Sequence, residues 1–306
     1  MCQTSLYKEK KMGIGELAAI SAAIVWASST VLYKRFSHHL SPLQLNVSKG
    51  IIACALMLLI LLIMPTSHLP QLASSWAWLI VSGILGIAIG DSAYFAALRN
   101  IGPARTLVIE SLAPAIAGIL NIVLLGVWLS GLAWLGIVIT TLGVLLAIKP
   151  KDPLPQVEHS IYIKGVGFAL LAATCQAAGM VMSKGAMNAE QIGSLWAAFI
   201  RLFSGTLAVA CVVACLKEQN LKQTITLDGI SQKQWLFVAV FFGTFIGLWL
   251  QLVAVKHTDP AIAQTIFATA PLMVMTIGAM RKEPMTRNMI LGGIIAFSGV
   301  ALLVLS

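Results

Sequence analysis

The sequence predicts an all-α polytopic membrane protein, with ten transmembrane helices arranged as two inverted five-helix repeats. Hydrophobic residues make up 58% of the 306 residues, charged residues only 10%, and mean hydropathy is +0.91, too apolar for a water-soluble surface. Apolar stretches of about 20 residues, the length a helix needs to cross the hydrocarbon core, recur along nearly the whole chain. That recurrence excludes a cleaved signal peptide ahead of a soluble body. Motifs in the first half also return in the second at a constant spacing.

Hydropathy and turn residues place the first five spans near 14–33, 43–64, 76–98, 104–125 and 131–148. The other five lie near 163–183, 193–215, 234–255, 260–280 and 287–305. The chain therefore divides into a tail over 1–13, a first repeat over 14–148, a linker over 149–162 and a second repeat over 163–305. The linker contains Lys149-Pro150-Lys151-Asp152-Pro153-Leu154-Pro155, whose prolines and charges do not continue a helix through lipid.

Duplication is visible in three motifs. Gly86-x3-Gly90 returns as Gly243-x3-Gly247, Pro103-Ala104 as Pro260-Ala261, and Ala113-Pro114 as Ala270-Pro271, each pair separated by 157 residues. Earlier in each half, Ala22-Ala23 matches Ala172-Ala173, Lys34 matches Lys184, and Lys49 matches Arg201. An odd number of spans per half makes the second copy enter the membrane from the opposite face, the inverted arrangement common among secondary transporters. The paired glycines are expected to let helices approach closely where lipid offers no hydrophobic push.

The net charge of +9 sits mostly in short loops, which fits headgroup contact rather than a nucleic-acid footprint. Cys54, Cys175, Cys211 and Cys215 lie in apolar spans with no histidine to complete a metal site, so they are expected to pack as small apolar residues. No metal or other cofactor is expected.

Charged groups inside a bilayer cost about 2.5–3.5 kcal/mol on insertion scales and need a partner or a wet cavity. Asp91 and Glu110, the acids within spans three and four, are thus the first candidates for binding a cationic group or exchanging a proton. Pairing with Arg99, Arg105 or Lys49 is the structural alternative. For Lys49 and Arg201 the favoured expectation is snorkelling to the headgroups, with neutralisation of a carboxylate or binding of an anionic solute as the other reading. Pro114 and Pro271 each remove a backbone hydrogen bond from a span and are expected to kink it beside the cavity.

Taken in order, these features resemble the drug/metabolite transporter superfamily, in its EamA-type ten-helix form built of two five-helix repeats. The resemblance rests on the Trp26 region, Lys49 and Arg201 in the second span of each repeat, the Gly-Pro-Ala and Ala-Pro segments, and the turn Arg281-Lys282-Glu283-Pro284-Met285-Thr286. The first repeat departs from it, since Leu125-Gly126-Val127-Trp128-Leu129 lacks the expected acid. The resemblance implies a solute carrier whose cavity is lined by Trp26, Tyr94, Gln176, Trp249, Gln251 and Gln264, suited to a solute with polar and apolar parts.

A primary pump is disfavoured, because the chain has no Gly-x4-Gly-Lys-Ser/Thr loop. An intramembrane hydrolase would need a nucleophile and base within the spans, yet no span carries a histidine. A channel or assembly protein is the remaining alternative. The expected partners are a small-molecule solute, the bilayer of a bacterial-type cytoplasmic membrane and a proton as coupling ion; a monomer and a homodimer both fit. Loop lysines and arginines are denser on the face away from the termini, whereas Lys8, Lys10 and Lys11 before the first span favour a cytoplasmic N-terminus.

Overall fold

A backbone in hydrocarbon must satisfy its N–H and C=O groups internally, so apolar stretches of this length form helices. The computed structural model describes residues 13–36, 40–63, 68–147, 159–215, 230–270, 272–273 and 287–305, and every regular element among them is helical. In the first repeat, α1 (Ile14–Phe36) and α2 (Pro42–Ile63) precede a continuous run of α3 (Ala73–Gly83), a π-helical segment (Ile84–Asp91) and α4 (Ser92–Glu110). α5 (Ala113–Leu125) and α6 (Gly131–Ala147) complete it. The second repeat contains α7 (His159–Ala189), α8 (Ser194–Cys215), α9 (Ile230–Ala239), a π-helical segment (Val240–Ile246), α10 (Gly247–His257), α11 (Pro260–Phe267) and α12 (Arg287–Leu305).

Five stretches of the described chain are long and apolar enough to cross a membrane unaided, and four shorter apolar helices accompany them. Their outward faces carry large apolar side chains such as Leu62, Val123, Ile294 and Leu305, which are exposed as lipid-facing residues must be. Cys211 and Cys215 are also exposed on α8, so burial as packing residues applies to Cys175 and in part to Cys54, not to them. The proline-rich stretch 149–155, the turn at 281–286 and Pro271 lie outside the described residues.

Two local findings differ from expectation. The turn expected before Pro103 is absent from the helical run Ser92–Glu110, because one missing N–H costs a helix a single backbone bond. The interruption falls instead at Ser111-Leu112, where the Leu112 amide donates to Ile109 O (3.1 Å). Pro114 then stands in the first turn of α5, where its missing N–H would have no intrahelical acceptor anyway. It starts a helix rather than kinking one. The second repeat breaks 157 residues later at Ala268-Thr269, with the Thr269 amide donating to Ile266 O (3.1 Å). Both repeats therefore carry a discontinuous span at the same place.

The halves interlock by exchange. The π-helical segment of the first repeat packs on α7 and α8, and that of the second on α1 and α2. A Cβ on Gly86 would lie 2.9 Å from Arg201 Nη2, one on Gly90 would lie 3.2 Å from Cys175 Cβ, and one on Gly243 would fall within contact of Ser29. The repeated glycines thus admit the opposite repeat, as small residues do in membrane helix packing. α6 and α12, the last span of each repeat, meet along Gly136, Thr140, Gly143, Gly292, Ala296 and Gly299.

On the face that carries the chain termini, polar contacts join the repeats through Glu190 and Asn121 and tie the second repeat to itself through Lys184 and Lys256. The Glu190 carboxylate accepts from the amides of Gln71 and Leu72 (2.7 Å each), and Lys256 Nζ donates to Ile192 O (2.8 Å). Lys184 Nζ reaches the carbonyls of Lys256 and Thr258, and Asn121 Nδ2 donates to Asp259 Oδ2 (2.8 Å).

Candidate functional site

The two π-helical segments sit at matched places, each containing the first glycine of its Gly-x3-Gly pair. A π-turn widens the helix and redirects the side chains that follow it, a feature frequent at functional sites. In the first repeat it presents Asp91 inward. Asn46 on α2 donates to the Ile87 carbonyl (2.8 Å) and to Ser92 Oγ (2.9 Å), tying the widened turn to the neighbouring helix.

Lys49 is buried, 4% exposed, and does not snorkel. Its Nζ stands 2.5 Å from Asp91 Oδ2 and 5.0 Å from the centre of the Phe95 ring. The headgroup expectation fails because α2 starts at Pro42, placing Lys49 two turns inside the helix with a carboxylate facing it. This is the one ion pair among the described residues, and of the candidate cations it gives Asp91 Lys49 as partner.

Arg201 is also no snorkelling residue, being fully buried. Its Nη1 donates to Ser183 Oγ (2.9 Å) and to Met180 Sδ (3.4 Å), while Nη2 lies in a slot between Gly86 and Gly179. Nε has no hydrogen-bond partner among the described residues. Lys49, Asp91 and Arg201 all line one void of about 20 Å³, with Trp26, Gln176 and Gln251 on its other walls.

A second void of about 50 Å³ shares Trp26, Gln176 and Gln251. Its remaining walls include Glu110 and Ser111 at the break of the first repeat, and Gln264, Phe267 and Ala268 at the break of the second. Glu110 and Phe267 are 157 residues apart, so the duplicated position holds an acid in one half and an aromatic ring in the other. The outcome is a bipolar cavity: two cations and a carboxylate at one end, Glu110 and hydrogen-bonding amides at the other, a tryptophan between.

Seven of the candidate residues meet in this arrangement with Glu110: Asp91, Lys49, Arg201, Trp26, Gln176, Gln251 and Gln264. Tyr94 and Trp249 line neither void. The Tyr94 ring packs 6.5 Å from Trp26 and 5.8 Å from Phe95, and Trp249 packs 6.3 Å from Phe245. Tyr94 thus backs the Trp26 wall. Pro114 is buried beyond the break, and Pro271 is outside the described residues. Asn46, Ser183, Thr244 and Phe267 belong to the site or its support and were not among the expected residues. Asn46 carried a legible signal, a polar residue within an apolar span, whereas the others are common in packed helices.

Comparison with known proteins agrees with this architecture. A solved crystal structure, titled only as that of a protein, superposes with a TM-score of 0.73 over 95% of this chain and 96% of its own, at 15% identity, a likeness of fold. An uncharacterized transporter, sll1164, from Synechocystis sp. (strain ATCC 27184 / PCC 6803 / Kazusa), is 30% identical over 146 residues. That match covers 46% of this chain and 42% of the relative's length. The profile of the EamA-like transporter family matches twice, over residues 13–149 and 163–305. With both five-helix repeats matched, the chain is a multi-pass membrane protein that belongs to the EamA-like transporter family.

Proposed function

We propose that the chain exports a small metabolite, amino-acid-like compound or drug-like solute across the cytoplasmic membrane, by alternating access coupled to a proton gradient. The observation that carries this reading is the bipolar cavity between the repeats, walled by residues of both halves and bordered by both helix breaks. Discontinuous helices at the interface of inverted repeats are where secondary transporters build solute sites, since freed backbone groups are tolerated only beside protein or water.

The voids hold a few waters at most, whereas pockets for drug-sized molecules start at about 300 Å³. The conformation is accordingly a closed one, and rocking of the repeats would enlarge the site toward one face at a time. Glu110 is the preferred proton carrier, because Asp91 is held by Lys49 while Glu110 faces the larger void. A charge within the membrane that has no ion pair among the described residues is costly, which supports a working role over a packing one. Trp26, Gln176, Gln251 and Gln264 would hold the solute through its apolar face and its hydrogen-bonding groups.

The test compares metabolites inside and outside cells that overproduce the wild-type chain or a Glu110→Gln, Lys49→Ala variant at equal membrane level. The expected result is a solute displaced outward by the wild type alone. Equal distributions across a broad panel would contradict export.

A further inference from the structure

We propose that Lys49 and Arg201 form the binding site for a carboxylate of the solute, and that Asp91 occupies this site as an internal stand-in while it is empty. The inference rests on the cavity being the solute site and adds the chemical class that this end of it accepts.

The charge count points there first. Two buried cations, one from each repeat, face a void that contains a single carboxylate, Asp91, and that carboxylate lies on Lys49. Arg201 is left with a neutral hydroxyl and a thioether on one nitrogen. Its Nε is unpartnered although the residue is fully buried. A guanidinium presents donors in a fixed fork suited to a planar carboxylate, and a buried one normally has an anion to offset its desolvation. The slot between Gly86 and Gly179 holds the head group in place without supplying that anion.

Geometry and volume narrow the ligand. Lys49 and Arg201 hold equivalent places in the inverted repeats, so both face the space between the halves. The void of about 20 Å³ has room for about one water. An anion therefore gains both cations only if the Asp91 side chain withdraws, and a carboxylate entering there leaves the local charge unchanged. A dianionic phosphate would alter that balance and needs more space. The shared wall of Trp26, Gln176 and Gln251 lies between this end and the void lined by Glu110, so a solute held here by its carboxylate would extend toward Glu110 as the repeats part.

Benzoate is a fitting probe, with benzamide as its neutral counterpart, measured on the purified full chain in lipid nanodiscs. The Asp91→Asn variant, lacking the competing charge, is expected to bind benzoate at least about tenfold more tightly than wild type, while benzamide binds the two alike. Adding Arg201→Lys, which keeps the charge but loses the fork, is expected to remove that gain. Equal benzoate affinity in wild type and Asp91→Asn, or a gain that survives Arg201→Lys, would overturn the proposal. If Asp91→Asn does not fold, the melting temperature of wild type decides: benzoate raises it and benzamide does not, and no difference between them overturns the site. A wild type that displaces a solute from cells but lacks this anion response would defeat the carboxylate site and leave transport standing.

Discussion

Removing Asp91 leaves Lys49 as a buried charge without a counter-ion, and the size of the effect follows from the geometry. At the 2.5 Å separation of Lys49 Nζ and Asp91 Oδ2, an effective dielectric of about 20 gives an attraction of about 7 kcal/mol. The cost of taking both ions out of water is several kcal/mol each, so the intact pair is close to neutral for stability. Losing one partner removes the attraction but not the other ion's desolvation, and such changes destabilise by about 3–5 kcal/mol. The side chains are 5% and 18% exposed, so solvent recovers little of this. Asp91→Ala is therefore expected to lose about 3 kcal/mol or more in denaturant unfolding of the micelle-solubilised chain. Lys49→Met combined with Asp91→Ala is expected to recover most of it, because no charge is then stranded. An Asp91→Ala variant within about 1 kcal/mol of wild type, or a double variant no better than the single one, would refute this account of the pair.

Two further perturbations probe other layers of the structure. Gly143→Leu would drive a Cβ into the Ala296 backbone; forcing α6 away from α12 should lower stability by about 1–3 kcal/mol, read as earlier unfolding in detergent titration. Glu190, outside the spans, has its carboxyl held below the usual range by the Gln71 amide first and then by Ser75 and Leu72. A depressed carboxyl stabilises above its unfolded pKa and loses that contribution as pH falls through the folded one. Glu190→Gln should thus lower the melting temperature at neutral pH, with the gap to wild type closing in acid well below the ordinary value of 4.5.

Much of this fold was legible in the sequence because lipid imposes a simple code. Apolar length marks the helices, and the 157-residue spacing of Gly86 and Gly243 marks the duplication. What escaped was the depth and direction of particular side chains. Lys49 reads as a snorkelling residue when its partner stands 42 positions away on another helix. Arg201 is buried by a slot that exists only once Gly86 and Gly179 meet from opposite repeats. The π-helical segments were invisible, since i→i+5 bonding leaves no periodic mark in a uniformly apolar stretch. The role of Pro114 reversed for a related reason: a proline inside an apolar run signals that a helix is disturbed, but not whether it bends or restarts. Glu110 was singled out as an acid within a span, and its position at the break explains why it faces the cavity.

The central claim, that the cavity between the repeats opens to each face in turn, is tested most directly at Gln176, which walls both voids. A chain with its own cysteines replaced would carry Gln176→Cys and be reconstituted in vesicles of both orientations, then treated with a membrane-impermeant maleimide. Labelling from either face, with lipid-facing Val123→Cys left unlabelled, is the predicted result. Labelling of Gln176→Cys from neither face, or from one face only under every gradient applied, would contradict alternating access through this site.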